Sequence, residues 1–217
     1  MGLKAAAPYV TPFAVFIALR WLPFPMEWLA PVRFVAVTTV LLILSRRIVQ
    51  WRLLFPAGSV LVGLAVLGIW IAPETFWHSY RDLWLFHNRI TGVAASTLPA
   101  PLKSDALFLV IRVLESAILV PILEELFWRG WLMRWLIRPD FESVPMGQYT
   151  AFSFWIVALL FASEHGPYWE VGLLAGLVYN FWLVRTRNLA DCILAHGVTN
   201  AMLAGYVLLF QQWQYWL

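Results

Sequence analysis

Seven apolar segments follow one another along this chain, and they constrain its fold more than any other feature. A helix of about 20 apolar residues crosses a bilayer, and a shorter one does so where the bilayer is thinned. Lipid offers no hydrogen-bond partners to the backbone, so such segments must be helical. The sequence therefore predicts an all-α polytopic transmembrane bundle of about seven spans. The segments are residues 9–29, 32–45, 57–72, 105–138, 149–163, 171–184 and 189–210.

The composition also indicates a membrane protein. Only 12% of the residues are charged and 62% are hydrophobic, whereas a soluble domain carries about 25% charged residues. We expect residues 1–217 to form a single membrane domain. In it, residues 1–104 hold the N-terminal spans and an amphipathic loop, and residues 105–210 hold the polar motifs. Basic residues near membrane ends account for the net charge of +3, so no nucleic-acid partner is expected.

Two connecting segments predict how the bundle lies in the membrane. Arg46, Arg47 and Arg52 form the most basic short loop, which places this loop and the N-terminus in the cytoplasm. Residues 73–104 are the only long polar stretch, and their mixed charges and aromatic content predict an interfacial helix ahead of a proline-rich loop.

Two adjacent carboxylates and a guanidinium lie inside the apolar segment 105–138. They are Glu124, Glu125 and Arg129, and each costs several kcal/mol in hydrocarbon unless it has a partner. Glu125 and Arg129 have the i, i+4 spacing of a helical ion pair, which favours a structural role that braces the helix. Glu124 lies about 100° around the helix axis from Glu125 and has no evident partner on its own helix.

Polar side chains occur deep in two later segments as well. His165 ends one apolar run, and His196 and Asn200 share one face of the last predicted span through their i, i+4 spacing. A lone buried histidine is ordinarily a satisfied core residue. Two histidines on different helices, beside an unpaired glutamate, leave a functional site and a structural cluster about equally favoured by composition alone.

Two further spacings concern helix packing. Arg112 and Glu115 are spaced i, i+3 and can neutralise one another. Gly172 and Gly176 have the GxxxG spacing of closely packed membrane helices. Chance glycines in a membrane helix explain that second spacing about equally well.

The polar residue set is compatible with several functions. A desolvated glutamate can act as a general base towards water, and imidazole or amide donors can stabilise the oxyanion of a peptide carbonyl. Glu124, His165 and His196 could also hold Zn²⁺, although no cofactor is favoured. A proton-coupled transporter also uses buried glutamate and histidine. A non-catalytic membrane binding partner would retain the cluster for structure alone.

Three motifs in order resemble a known family. EELFWR at 124–129 matches EExxxR, FASEH at 161–165 matches FxxxH, and HGVTN at 196–200 matches HxxxN. The chain thereby resembles the CPBP family of CAAX proteases and bacteriocin-processing enzymes, also called Abi, over roughly residues 105–210. Its length and layout are similar to those of the bacterial CAAX prenyl protease-related proteins of exosortase systems.

The resemblance implies an intramembrane endopeptidase of glutamate type, with no metal favoured. By motif position, Glu124 activates water with the help of His165, and His196 and Asn200 form the oxyanion site. Glu125 and Arg129 hold the helix that carries Glu124. The expected location is a bacterial inner membrane, and the expected partners are lipid and a membrane-associated peptide or protein substrate. Prenyl specificity is not carried across to this chain.

One expectation concerns depth in the membrane. Alternating the predicted spans places His196 near the cytoplasmic side, whereas His165 ends a span that runs outward. The two histidines can meet if the helix over 149–163 is short or starts deep, or if the span count is off by one.

Overall fold

The computed structural model describes residues 2–77 and 79–216 of the chain. Within these ranges the chain forms seven helices and no β-strand, which confirms the all-α prediction. In chain order, the helices are α1 (Gly2–Leu19), α2 (Met26–Ser45), α3 (Pro56–Phe76), α4 (Ala106–Trp135), α5 (Ala151–Ser163), α6 (Trp169–Thr186) and α7 (Leu189–Phe210).

Four of the described helices are long and apolar enough to cross a membrane, judged by length and composition. They are α2, α3, α4 and α7, of which α4 is the longest with 30 residues. Two apolar helices are shorter, over Lys4–Leu19 in α1 and over Ala151–Ser163 in α5. The predicted count of about seven spans is therefore not confirmed, although the described helices number seven. The bounds of α7 agree with the predicted 189–210.

The predicted first span, residues 9–29, is divided between two helices. α1 ends at Leu19 and α2 begins at Met26. Pro23 and Pro25 lie between them, and proline removes a backbone donor and disfavours the helical conformation of the residue before it. Because the break falls there, α2 starts earlier than the predicted residue 32 and reaches 20 residues.

The described residues of 73–104 do not form the predicted interfacial helix. The end of α3 is followed by a 3₁₀ turn at Tyr80–Asp82, an irregular stretch, and a second 3₁₀ turn at Ala100–Lys103. Glycine and proline within the stretch interrupt any longer helix. Arg81 fixes this segment: its Nε donates to Glu74 Oε1 at 2.8 Å, and its Nη1 donates to the Pro167 carbonyl at 2.5 Å.

Helices α7 and α6 each pack closely against a neighbouring helix at a glycine. A Cβ at Gly63 of α3 would lie 2.5 Å from the carbonyl oxygen of Ala195 in α7, so only glycine allows this approach. Thr199 of α7 donates to the Gly63 carbonyl at 2.9 Å across the same contact. On α6, a Cβ at Gly176 would lie 3.3 Å from Ala158 Cα of α5. The GxxxG spacing thus lies at a close helix contact.

The outer surface of the bundle is apolar. Ile43, Leu107 and Leu209 are 69%, 71% and 79% exposed on three of the candidate membrane helices. Large contiguous apolar surfaces are rare on monomeric soluble proteins and mark contact with another apolar phase. For a bundle of this composition, that phase is the hydrocarbon interior of a membrane.

Candidate active site

The ion pair that the spacing predicts is present in α4, completely buried. Arg129 Nη1 donates to Glu125 Oε1 at 3.2 Å, and neither side chain has exposed surface. The same guanidinium donates from Nε to Asn180 Oδ1 at 2.9 Å and from Nη2 to the Gly176 carbonyl at 3.3 Å. Because Asn180 and Gly176 belong to α6, Arg129 joins α4 to α6 as well as to Glu125.

Glu124, the neighbouring carboxylate, faces a different environment. It is 8% exposed, and its Oε2 has no hydrogen-bond partner among the described residues. The Nε2 of His196 lies 4.0 Å from that oxygen. A carboxylate oxygen without a partner can accept a proton from water, which is the requirement for a general base.

His196 links the two glutamates. Its Nδ1 lies 2.9 Å from Glu125 Oε1, and an ionised carboxylate can only accept, so Nδ1 carries the hydrogen. Its ring stacks on Tyr179 of α6 with centroids 4.9 Å apart. Nε2 is thus directed towards Glu124. It donates there only when the ring is imidazolium, because the neutral ring already uses its one hydrogen on Glu125.

His165 lies in the connection between α5 and α6. Its Nδ1 is 2.7 Å from the Phe161 carbonyl, an acceptor, so this nitrogen carries the hydrogen and Nε2 keeps its lone pair. Burial lowers the pKa of His165 to about 4, which keeps the ring neutral near pH 7. Gly172 allows the ring to approach α6, since a Cβ there would lie 3.0 Å from His165 Cγ.

Asn200 lies one turn after His196 and is held by an unusual feature of α4. A wide π-helical turn spans Glu115–Leu119, and it bonds each carbonyl to the amide five residues later. The next amide in that pattern would be residue 121, which is proline and has no N–H. Asn200 Nδ2 donates to the freed Ser116 carbonyl at 2.9 Å. Its second amide hydrogen remains available.

One cavity of about 700 Å³ brings the predicted residues together. It opens among helices from both halves of the chain and the irregular stretch that follows α3. Phe161 separates the two histidines, with ring centroids 4.6 Å from His165 and 6.0 Å from His196. The helix α5 has only 13 residues, and His165, which follows its end, lines the same cavity as His196. Glu124, His165, His196 and Asn200 all line the cavity.

A further carboxylate, outside the predicted site residues, also lines this cavity. Glu164 directly precedes His165, and its Oε1 accepts from Trp128 Nε1 at 3.0 Å. Burial raises the pKa of Glu164 to about 8, while the Trp128 donor opposes that shift. A carboxylate at the end of an apolar run was visible in the sequence. Its direction was not, because that depends on the turn at Gly166, which has a φ of +54°.

A second charged cluster lies on α4, nearer its start. Arg112 Nη1 donates to Glu115 Oε2 at 3.2 Å, as the i, i+3 spacing predicts. Arg33 of α2 adds two further bonds at 2.5 Å, one to each oxygen of Glu115. Glu115 is therefore saturated by two guanidinium groups, and this cluster also lines the cavity.

The described residues do not fit a zinc site as they lie. No three histidine, cysteine, aspartate or glutamate side chains within 2–77 and 79–216 come together in an arrangement that could hold a metal ion. Zinc needs at least three such ligands at about 2.0–2.3 Å. We therefore derive no step through Zn²⁺.

Part of the chain matches a known protein family. Residues 106–202 match the family model described as "Type II CAAX prenyl endopeptidase Rce1-like". No curated protein and no solved structure matches the chain. The matched segment contains Glu124, Glu125, Arg129, His165, His196 and Asn200.

Proposed function

We propose, on the premise that residues 106–202 are an Rce1-like domain of the CPBP family, that this integral membrane protein is an endopeptidase that uses glutamate-activated water. The carrying observation is that Glu124, His165, His196 and Asn200 line one cavity although they come from three separate segments. A membrane-embedded protease engages lipid and a peptide or protein substrate. We propose a membrane-associated substrate and assign no prenyl specificity.

Glu124 is the proposed general base. Its free Oε2 takes a proton from water as the water oxygen attacks the peptide carbonyl carbon. His165 assists by accepting a hydrogen bond from the same water at Nε2, which its Phe161 contact leaves unprotonated. The bond that forms is carbon to oxygen, and the carbonyl π electrons move to the carbonyl oxygen.

His196 and Asn200 are the proposed oxyanion donors. The available Asn200 amide hydrogen and the Nε2 hydrogen of an imidazolium at His196 can reach an oxyanion in the cavity. Donors fixed before the reaction stabilise developing charge without reorganising, and loss of one costs about 10²–10³-fold in turnover. Glu125 and Arg129 position His196, because Glu125 contacts its ring and Arg129 holds Glu125.

The proposed orientation follows the charge of the loops. Arg46, Arg47 and Arg52 lie between α2 and α3, which favours a cytoplasmic loop and a cytoplasmic N-terminus in a bacterial inner membrane. A cysteine-accessibility assay on either side of the membrane tests this placement independently of any activity.

The test of function uses the full chain in proteoliposomes with a proteome-derived peptide library as the probe. Wild type should cleave library peptides, as read by mass spectrometry of new termini, and Glu124→Gln should not. Both proteins should have the same thermal unfolding. Absence of cleavage together with a Glu124-dependent proton flux would indicate a transporter. Absence of both would indicate a non-catalytic partner, and either outcome would refute the protease.

A further inference from the structure

Glu164 is a cavity carboxyl that the proposed mechanism does not use. It stands beside His165, and Trp128 Nε1 holds its Oε1 at 3.0 Å. Trp128 follows Glu124 by four residues on α4, about one helical turn. The donor thus fixes the Glu164 carboxyl near the turn of α4 that carries Glu124, and both groups line the same cavity.

We propose that Glu164 is a further catalytic residue, the general acid that protonates the departing amine. This inference rests on the proposed protease function. Hydrolysis requires one group that takes a proton from water and another that gives a proton to nitrogen as the carbon–nitrogen bond breaks. Two carboxyls with different surroundings can divide these roles, as they do in other hydrolases. Glu124 has an unpartnered oxygen, whereas Glu164 is held by an N–H donor.

The proton balance closes with these two groups. Glu124 takes one proton from water, and the resulting hydroxide attacks the carbonyl carbon. As the carbon–nitrogen bond breaks, Glu164 gives its proton to the nitrogen. The new carboxylic acid returns a proton to Glu164, and Glu124 passes its own to the amine. The products are a carboxylate and an ammonium, and both glutamates return to their starting states.

The charges around Glu164 determine how it titrates. The charged side chains that act on Glu164 are Glu124, Glu125 and Arg129 on α4, and Arg20, which directly follows α1. His165 is its neighbour in the chain, and His196 shares the cavity from α7. Burial is the largest influence and raises the pKa of this carboxyl to about 8, which leaves it protonated at neutral pH.

Glu164→Gln separates the chemical role from a structural one. Glutamine keeps an oxygen that can accept from Trp128, so a merely structural role should survive the change. We expect the cleavage rate of a peptide taken from the cleaved part of the library to fall about 10²-fold or more near pH 7. We expect the wild-type rate to fall above about pH 8 as Glu164 loses its proton, and this fall should be absent in Glu164→Gln. Glu142→Gln, an exposed loop position, removes one carboxylate elsewhere and should behave as wild type.

The outcomes are distinct. A Glu164→Gln protein with the wild-type rate and pH profile overturns this inference. If Glu164→Gln does not fold, Trp128→Phe provides the test: loss of the N–H donor should move the alkaline decline to higher pH, and an unmoved decline overturns the inference. An inactive Glu124→Gln beside a normal Glu164→Gln refutes only the general-acid role. A fully active Glu124→Gln refutes the proposed function itself.

Discussion

Two buried glutamates ten residues apart on α4 have opposite surroundings. Glu115 is saturated, because Arg33 binds both of its oxygens at 2.5 Å and Arg112 adds a third bond at 3.2 Å. Glu125 shares a single oxygen between Arg129 and His196, and its Oε2 has no partner among the described residues. Both are ion pairs at helical spacing, so spacing alone does not distinguish them.

The difference shows what a buried charge can be used for. A buried pair rarely adds stability over an apolar equivalent, but removal of one partner is costly. At Glu115 all the contacts are arginines, which join α2 to α4. At Glu125 one contact is His196, a ring that faces the cavity, and through Arg129 the cluster also fixes α6. A carboxylate shared between Arg129 and the His196 ring can fix the orientation of that ring.

The largest expected effect concerns the two arginine partners. Arg129→Gln leaves Glu125 buried without its cation, and breaking such a pair costs about 3–5 kcal/mol of unfolding free energy. Arg112→Gln leaves Glu115 with Arg33, so the loss should stay within about 1 kcal/mol. Equilibrium unfolding in mixed detergent micelles measures both. Equal losses of unfolding free energy would mean that Arg129 and Arg112 stabilise the fold to the same extent, against this prediction.

The second effect separates the two nitrogens of His196. Asparagine places its amide nitrogen near the position of Nδ1, so His196→Asn keeps a donor for Glu125 but removes the group at Nε2. We expect a folded protein whose cleavage falls about 10²–10³-fold. His196→Gln reaches the Nε2 position instead and should retain more activity. Full cleavage by His196→Asn would show that the cavity-facing nitrogen has no role.

The smallest effect concerns the packing of His165. A Cβ at Gly172 would lie 3.0 Å from His165 Cγ and Nδ1, so Gly172→Ala should displace the ring by a few tenths of an ångström. Small misplacements reduce turnover, and we expect a loss of about three- to ten-fold. Gly205→Ala is the matched control in α7, since nothing lies within 4 Å of its Cβ position. Equal turnover in the two variants would place His165 outside the reaction.

Local features of the fold could be predicted from the sequence, whereas long-range contacts could not. The Glu125–Arg129 and Arg112–Glu115 pairs follow from helical spacing, and α7 follows from a continuous apolar run. The predicted span over 9–29 is too long, because its apolar composition hides the break at Pro23 and Pro25. Arg33 lies 82 residues from Glu115, and no local pattern relates them.

The candidate site shows the same division. Its motif residues were all identifiable, because each is a polar group that lipid would reject. The place of Glu164 in the cavity was not, since it depends on the turn at Gly166 and on Trp128 of another helix. The contact between His196 and Glu125 likewise depends on the packing of α7 against α4.

Chemical rescue at Glu124 tests the central claim most directly. Glu124→Ala removes the proposed base and leaves additional space in the cavity of about 700 Å³ that Glu124 lines. We predict a folded protein with no measurable cleavage, whose activity returns in part when formate is added, because formate supplies a carboxylate at that place. Glu142→Ala, which removes an exposed carboxylate elsewhere, should show no formate dependence. Cleavage by Glu124→Ala at the wild-type rate would contradict the account.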